Sequence, residues 1–347
     1  MPLLSNPAAV PDHAPEDHPA IPRGRTGVLL MNLGTPSSLS VPSVRRYLAE
    51  FLSDRRVVDY PAWLWQPVLR GIILNTRPPK TRAAYEKIWD QETDESPLRR
   101  YTREQAALVQ DRFGSEVIVD WAMRYGEPGV SEVLDRMLTQ GCERILLAPL
   151  YPQYSATTTG TACDAAFRWA LEKPWQPALR TLPAFHDDPG TIEALAALCR
   201  EHVPEGTERV ILSFHGLPQR YFEAGDPYHC HCAKTARLMR ESLGWSESFA
   251  PLAFQSKFGP ERWLEPSTES LVVKAAEEGL TKIAVTTPGF VADCIETLEE
   301  VGIGLAETFE EHGGKSLVQV PCLNATPPFI DALEALLRRE LRGWPGF

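Results

Sequence analysis

Two stretches of this chain repeat one another, and that repetition constrains its architecture more than any other feature. VLLMNLGTP begins at Val28 and VILSFHGLP at Val210, and each has glycine at its seventh position and proline at its ninth. QGCERILLAPLYP and EGLTKIAVTTPGF form a second pair, with Gly141 and Gly279 ahead of each apolar run. Short apolar β-rich runs separated by amphipathic helical segments predict parallel α/β sheets. Both members of the first pair run into Gly/Pro loops, which is where an open parallel sheet binds its ligands. Two such lobes facing each other would enclose a cleft.

The halves are unequal. Gly34 to Gly141 spans 107 residues and Gly216 to Gly279 spans 63, so the first half carries about 44 extra. The aromatic stretch at 60 to 90 is the candidate insertion. The expected organisation is a loose N-terminal arm at 1–24, an α/β lobe with an aromatic lip at 25–185, a second α/β lobe at 186–326, and a C-terminal helix and tail at 327–347. Helices are expected at 40–54, 102–112, 129–139, 189–201, 233–243, 267–277, 292–301 and 327–341. The fold class is therefore α/β, with two pseudo-symmetric Rossmann-like lobes.

Charge and cysteine usage narrow the function classes. The formal net charge of −11, from 46 acidic and 35 basic residues, argues against a dominant nucleic-acid surface, which needs a basic footprint. Seven scattered cysteines and an opening rich in Pro and acidic residues, unlike a secretory leader, favour a reducing, cytoplasmic compartment. YPAWLWQPVLRGIILN, residues 60 to 75, is the most apolar run, but Pro61, Gln66, Pro67 and Arg70 interrupt it. It reads as a lip that packs on its own lobe or touches a membrane or a flat greasy ligand, with Trp63, Trp65 and Leu69 as its exposed side chains.

Several segments carry candidate chemistry. His215 follows a strand directly, so its imidazole is expected at the mouth of the cleft, where it can accept a proton near neutral pH. Arg220 and Tyr221 follow on the same rim. In TPGFVADCIETLEEVG, a helix starting after Pro288 and Gly289 would place Asp293, Glu296 and Glu300 on one face. That ladder suits a hard divalent cation or a proton relay, and a solvated helix face remains the alternative. LYPQYSATTTGT offers Tyr151, Tyr154 and Ser155, with a capped turn as the plainer explanation of its hydroxyls. Arg77, Lys80 and Arg82 stand beside the lip, and Lys257, Arg262 and Trp263 stand in FQSKFGPERWLEP on the other lobe. Apolar surface beside fixed cations suits a flat hydrophobic molecule bearing carboxylates. In YHCHC, Cys230 and Cys232 lie one residue apart and no second pair completes a zinc or iron–sulfur pattern.

MNLGTP, RPPKT, YPQYSATTTG, SFHGLP with GDPY, FQSKFGPERWLEP and TPGFVADCIETLEE occur in one order, and on them residues 26 to 338 resemble the ferrochelatases. The resemblance implies a chelatase-like fold and insertion of Fe²⁺ into a porphyrin, with release of two protons. It implies that His215 and Glu296 are catalytic and that both, with Glu300, meet the metal; Asp293 joins them on the helix-face reading above. It places Leu33, Arg77, Arg124, Tyr151 and Ser155 beside the porphyrin; Lys257 and Trp263 join them on the reading above. Porphyrin and ferrous iron are then the partners, with peripheral membrane contact through 60–75 and no nucleic acid. Many relatives have histidine where this chain has Cys294. No cysteine follows Cys322, so no prosthetic [2Fe–2S] cluster is expected, and iron enters as a substrate. Protoporphyrin IX is the favoured ring, with coproporphyrin III as runner-up. A non-catalytic tetrapyrrole carrier, a cobalt-inserting chelatase and a nucleotide-sugar enzyme are the competing readings; no phosphate-cradling glycine loop supports the last.

Overall fold

A computed structural model describes residues 24–115, 117–344 and 347. Apart from Gly24, the expected N-terminal arm lies outside the described residues. Two four-stranded sheets form the framework, and every pairing within them is parallel. In the first, β1 (Arg25–Gly34) lies between β2 (Val117–Tyr125) and β3 (Cys142–Pro149), and β4 (Ala178–Thr181) forms the edge beyond β3. In the second, β5 (Arg209–His215) lies between β6 (Leu252–Gln255) and β7 (Lys282–Thr286), with β8 (Ser316–Gln319) beyond β7.

The strand orders β2-β1-β3-β4 and β6-β5-β7-β8 are one topology used twice. The repeated sequence motifs take equivalent places in it, as β1 with β5 and β3 with β7. Their glycines explain part of the likeness. Gly34, at φ +119°, could not carry a side chain, because a Cβ would lie 1.8 Å from the Tyr125 carbonyl oxygen at the end of β2. At Gly216 the corresponding clash is with the Gln255 carbonyl oxygen at the end of β6, at 2.7 Å. Each central strand thus ends tight against its neighbour. The edge strands ALRT and SLVQ lie outside the sequence expectation, since four residues of mixed polarity carry no readable period.

The β1 side chains from Val28 to Met31 are fully buried, as both faces of a parallel sheet require. Val28, Leu30 and Leu146 of the first sheet share one continuous buried cluster with Val210, Leu212 and Phe254 of the second. Ile330, Leu333 and Leu337 of the final helix, Pro327–Leu341, belong to it as well. That helix packs on helices Pro189–His202 and Pro97–Phe113, so it ties the lobes together. Ser40, Ser96, Asp188 and Ser267 cap their helices by accepting a backbone N–H three residues on, which sets where each helix starts.

The extra length of the first lobe lies between β1 and β2, which are joined by helix Val41–Ser53, a helical run from Ala62 to Glu86, and helix Pro97–Phe113. The middle run forms the lip. It contains Pro67, Pro78 and Pro79 and passes through a π-helical turn at Leu69–Ile73. Its outer face exposes Trp63, Leu64, Val68 and Ile72. Two expected members of that face are turned inward: Leu69 is fully buried, and half-buried Trp65 donates its indole N–H to the Leu52 carbonyl at 2.6 Å.

Candidate active site

A cavity of about 720 Å³ opens between the lobes at the C-terminal ends of their strands. Asn32, Leu33 and Gly34 reach it from β1, and His215 and Gly216 from β5. Tyr151 enters after β3, Ser256 after β6, and Gly289 to Ala292 after β7. The placement follows from the topology, since parallel strands all present their C-terminal ends to the same rim.

His215 closes β5, where its backbone is paired with Gln255 of β6. Its Nδ1 lies 2.7 Å from the Gly216 carbonyl, which holds the proton on that nitrogen and leaves Nε2 as the acceptor in the neutral ring. Phe290 stands beside the imidazole with ring centroids 6.4 Å apart.

The facing wall is a π-helix, Glu296–Leu305, rather than the α-helix expected from residue 292. Its winding closes i→i+5 hydrogen bonds and spaces side chains differently from an α-helix. Glu296, Glu299 and Glu300 all line the cavity. Glu300 is gripped from the turn after β6: the Ser256 N–H donates to Oε1 at 2.8 Å and the Ser256 hydroxyl donates to Oε2 at 2.5 Å. Burial pushes the Glu300 carboxyl above its usual range, against the opposing pull of those hydrogen bonds and of His215. Glu299, which a solvated face would explain, pairs instead with Lys87 of the first lobe at 2.8 Å.

The rest of the lining is mainly apolar and aromatic, including Leu33, Phe51, Leu98, Tyr151, Trp263 and Phe290. The buried Tyr151 hydroxyl has no hydrogen-bond partner among the described residues, and burial raises its pKa. Across the mouth, Arg77 of the lip lies over the Phe258 ring at 5.1 Å, and Tyr60 donates to Glu261 at 2.5 Å. Arg220 bonds both Asp59 and Glu261. Lys257 also lines the cavity and has no carboxylate partner among the described residues.

The ferrochelatase profile matches residues 25–341. A ferrochelatase of Rhizobium meliloti is 53% identical over 333 residues, covering 94% of this chain and 98% of its own. The chain belongs to the ferrochelatase family, the enzymes that insert Fe²⁺ into a tetrapyrrole. A ferrochelatase of Agrobacterium fabrum is 51% identical over 335 residues, 95% of this chain and 97% of that one. Among solved structures, SirB from Bacillus subtilis with Fe³⁺ superposes with a TM-score of 0.55 at 12% identity, covering 92% of this chain and 96% of that chain. At that identity the likeness concerns the fold, and it agrees with the two-lobed architecture.

Of the residues that the ferrochelatase resemblance singled out, His215, Glu296, Glu300, Leu33, Arg77 and Tyr151 share this one cavity, as do Lys257 and Trp263. Asp293, Ser155 and Arg124, also expected at the site, are not among the residues that line it. Asp293 precedes the π-helix and is buried, and its carboxylate accepts from Asn324 Nδ2 at 2.7 Å and Thr297 Oγ1 at 2.9 Å. Ser155 is buried and donates to Asp226 at 3.0 Å, joining the first lobe to the second. Arg124 lies against Asp54, and its Nε also donates to Thr161 Oγ1 at 2.7 Å. Burial works to raise the Asp54 pKa, but hydrogen bonds from Thr161 and the Arg56 N–H, with the charge of Arg124, hold it below the usual range.

Cys294 lines the cavity, and burial and Glu296 push its thiol pKa well up, so it remains protonated. YHCHC opens helix Tyr228–Leu243, with Cys230 exposed and Cys232 buried. His231 stacks on His186 at 3.7 Å, and its Nδ1 accepts the Tyr154 N–H at 3.2 Å. Among the described residues no three His, Cys, Asp or Glu side chains converge as a bound metal would need. Sequence reasoning missed Ser256, Tyr47 and Tyr85 as lining residues, and Gln255 as the residue that holds the Glu296 carbonyl. FQSKFG lay within a recognised motif, but nothing in it says that its serine faces a glutamate 44 positions later.

The Arg124–Asp54 pair gives a stability prediction, since their side chains are only 15% and 7% exposed. Arg124→Ala leaves a buried carboxylate without its cation and is expected to cost about 3 kcal/mol in urea unfolding, with part recovered by adding Asp54→Asn. A loss below about 0.5 kcal/mol, the level of an ordinary surface substitution, would remove Arg124 from the framework.

Proposed function

We propose that this ferrochelatase acts on protoporphyrin IX, with His215 taking pyrrole protons and the carboxylates of Glu296 and Glu300 attracting Fe²⁺ and carrying protons away. The observation that carries the reading is that His215 and Glu296, which both belong to the second lobe rather than to opposite halves of the chain, line one cavity that Leu33, Arg77 and Tyr151 of the first lobe complete. The reaction replaces two N–H protons by one Fe²⁺, so it needs a base, a negative field for the cation and a route for two protons. An imidazole whose Nε2 has no hydrogen-bond partner among the described residues and a wall of carboxylates meet those needs. The apolar lining from Leu33, Tyr151 and Phe290 suits the faces of the macrocycle. Binding that bends the ring would expose its nitrogens and bring the substrate closer to its transition state. The buried Asp293 and Ser155 and the partly buried Arg124 are assigned to the framework that holds these groups in place.

Charge at the cavity favours the dicarboxylic ring over coproporphyrin III. Arg77 and Lys257 carry no carboxylate partner among the described residues, whereas Arg220 is committed to Asp59 and Glu261. Two uncommitted cations suit two propionates, and two more propionates would meet Glu261 and Glu299 in the same lining. No described helix is long and apolar enough to cross a membrane. The exposed Trp63, Leu64, Val68 and Ile72 support a peripheral contact through the lip, from the cytoplasmic side, beside the mouth that receives a greasy substrate.

His215→Ala is expected to bind protoporphyrin with near-normal affinity by fluorescence titration while losing about 10²- to 10⁴-fold in kcat for anaerobic Fe²⁺ insertion. Parental turnover would refute the role given to the imidazole. A parent enzyme that binds the ring but inserts no Fe²⁺ would instead favour a carrier. For the lip, Trp63→Ser with Ile72→Ser is expected to reduce flotation with liposomes; flotation equal to the parent, or absent from the parent, would contradict the contact.

A further inference from the structure

Ser256 occupies a backbone conformation that its residue type does not favour. Its φ is +65°, in the left-handed region, where glycine pays no steric penalty and any residue with a Cβ does. The same turn brings its N–H and its hydroxyl onto the two oxygens of Glu300, at 2.8 and 2.5 Å. The preceding residue completes the attachment. Gln255 Nε2 donates to the Glu296 carbonyl at 2.8 Å, and its Oε1 accepts from the buried Ser213 hydroxyl at 2.7 Å. The Gln255 backbone is paired with His215, and its carbonyl accepts the Gly216 N–H at 2.8 Å. Gln255 and Ser256 therefore join the strand that carries the imidazole to the helix that carries the carboxylates.

We propose that Ser256 is a positioning residue for the insertion reaction, fixing the direction in which Glu300 presents its carboxylate to the cavity. The inference rests on the role proposed above for Glu300. A strained residue survives where its surroundings enforce it, and such strain concentrates at functional sites. Glycine would satisfy the turn at lower cost but would leave one Glu300 oxygen without its hydroxyl donor. The hydroxyl is what the serine adds. Its removal leaves Oε2 only the long 3.5 Å contact from Gln255 Nε2, so the carboxylate is held chiefly by the Ser256 N–H on Oε1 and gains freedom to turn, and small misplacements of a reacting group cost one to two orders of magnitude in rate.

Ser256→Gly separates this from a merely structural role, because it relieves the backbone while deleting the donor. The expected result is a melting temperature equal to or above the parent, unchanged protoporphyrin affinity by fluorescence titration, and kcat/KM for Fe²⁺ lowered roughly ten- to a hundredfold under anaerobic conditions. Ser256→Ala is expected to show the same kinetic loss without the gain in stability. Since both residues act through one carboxylate, adding Ser256→Gly to Glu300→Gln is expected to slow the enzyme no further. A Ser256→Gly enzyme within twofold of the parent, alongside a slow Glu300→Gln enzyme, would overturn the inference and leave the role of Glu300 standing. Losses that multiply in the double variant would also overturn it. A Glu300→Gln enzyme as fast as the parent would overturn the proposed role of Glu300, and the inference with it.

Discussion

The register between β5 and β6 sets the geometry of the site. His215 is paired with Gln255, and Gln255 in turn holds the carbonyl of Glu296 through its side-chain amide. Slipping that pairing by one residue would turn every side chain of the strand to the opposite face. The imidazole and the carboxylate helix would then no longer share a cavity. The register is protected by burial, because Ile211, Leu212 and Phe214 of β5 are fully enclosed. Close packing elsewhere in the sheet thus fixes a reactive geometry at its end.

The acidic wall illustrates how a protein holds like charges together. Asp293, Glu296, Glu299 and Glu300 fall within eight residues, a concentration that repels itself unless each member is given a partner or water. Asp293 is satisfied by Asn324 and Thr297, Glu299 by Lys87, and Glu300 by Ser256. Two of these grips come from non-glycine residues in the left-handed region, Ser256 at φ +65° and Asn324 at φ +47°. Glu296 is held by its backbone and shows no side-chain ion pair among the described residues. It is the member of the wall least committed to the framework, and therefore the one best able to face a cation.

Much of the architecture was legible because periodicity and glycine placement are local consequences of packing. The repeats at Val28 and Val210 mark two central strands, and Gly34 and Gly216 mark where each meets its neighbour. Motif resemblance singled out His215, Glu296 and Glu300, which one cavity brings together, but the expectation of the imidazole in one half and the carboxylates in the other fails, since β5 and the π-helix belong to the same lobe. What could not be read was any distinction settled by hydrogen bonding over long separations. Asp293 sits in the same acidic run as Glu296, yet its partner Asn324 lies 31 residues away and turns it inward. Arg124 looks equally suited to a substrate carboxylate until Asp54, 70 residues earlier, is seen to claim it. The π-helical winding of Glu296–Leu305 was likewise invisible, since it changes the spacing of side chains without changing the apolar pattern that announces a helix.

In the proposed arrangement one ring meets the imidazole of His215 and the carboxylates of the π-helix, all from the second lobe, at the same time. A crystal structure with bound metal-free protoporphyrin tests it directly. The macrocycle is expected in the inter-lobe cavity, with His215 Nε2 directed at the pyrrole nitrogens and Glu296 lining the same chamber. A ring lodged at the lip, with neither side chain able to reach its centre, would contradict it.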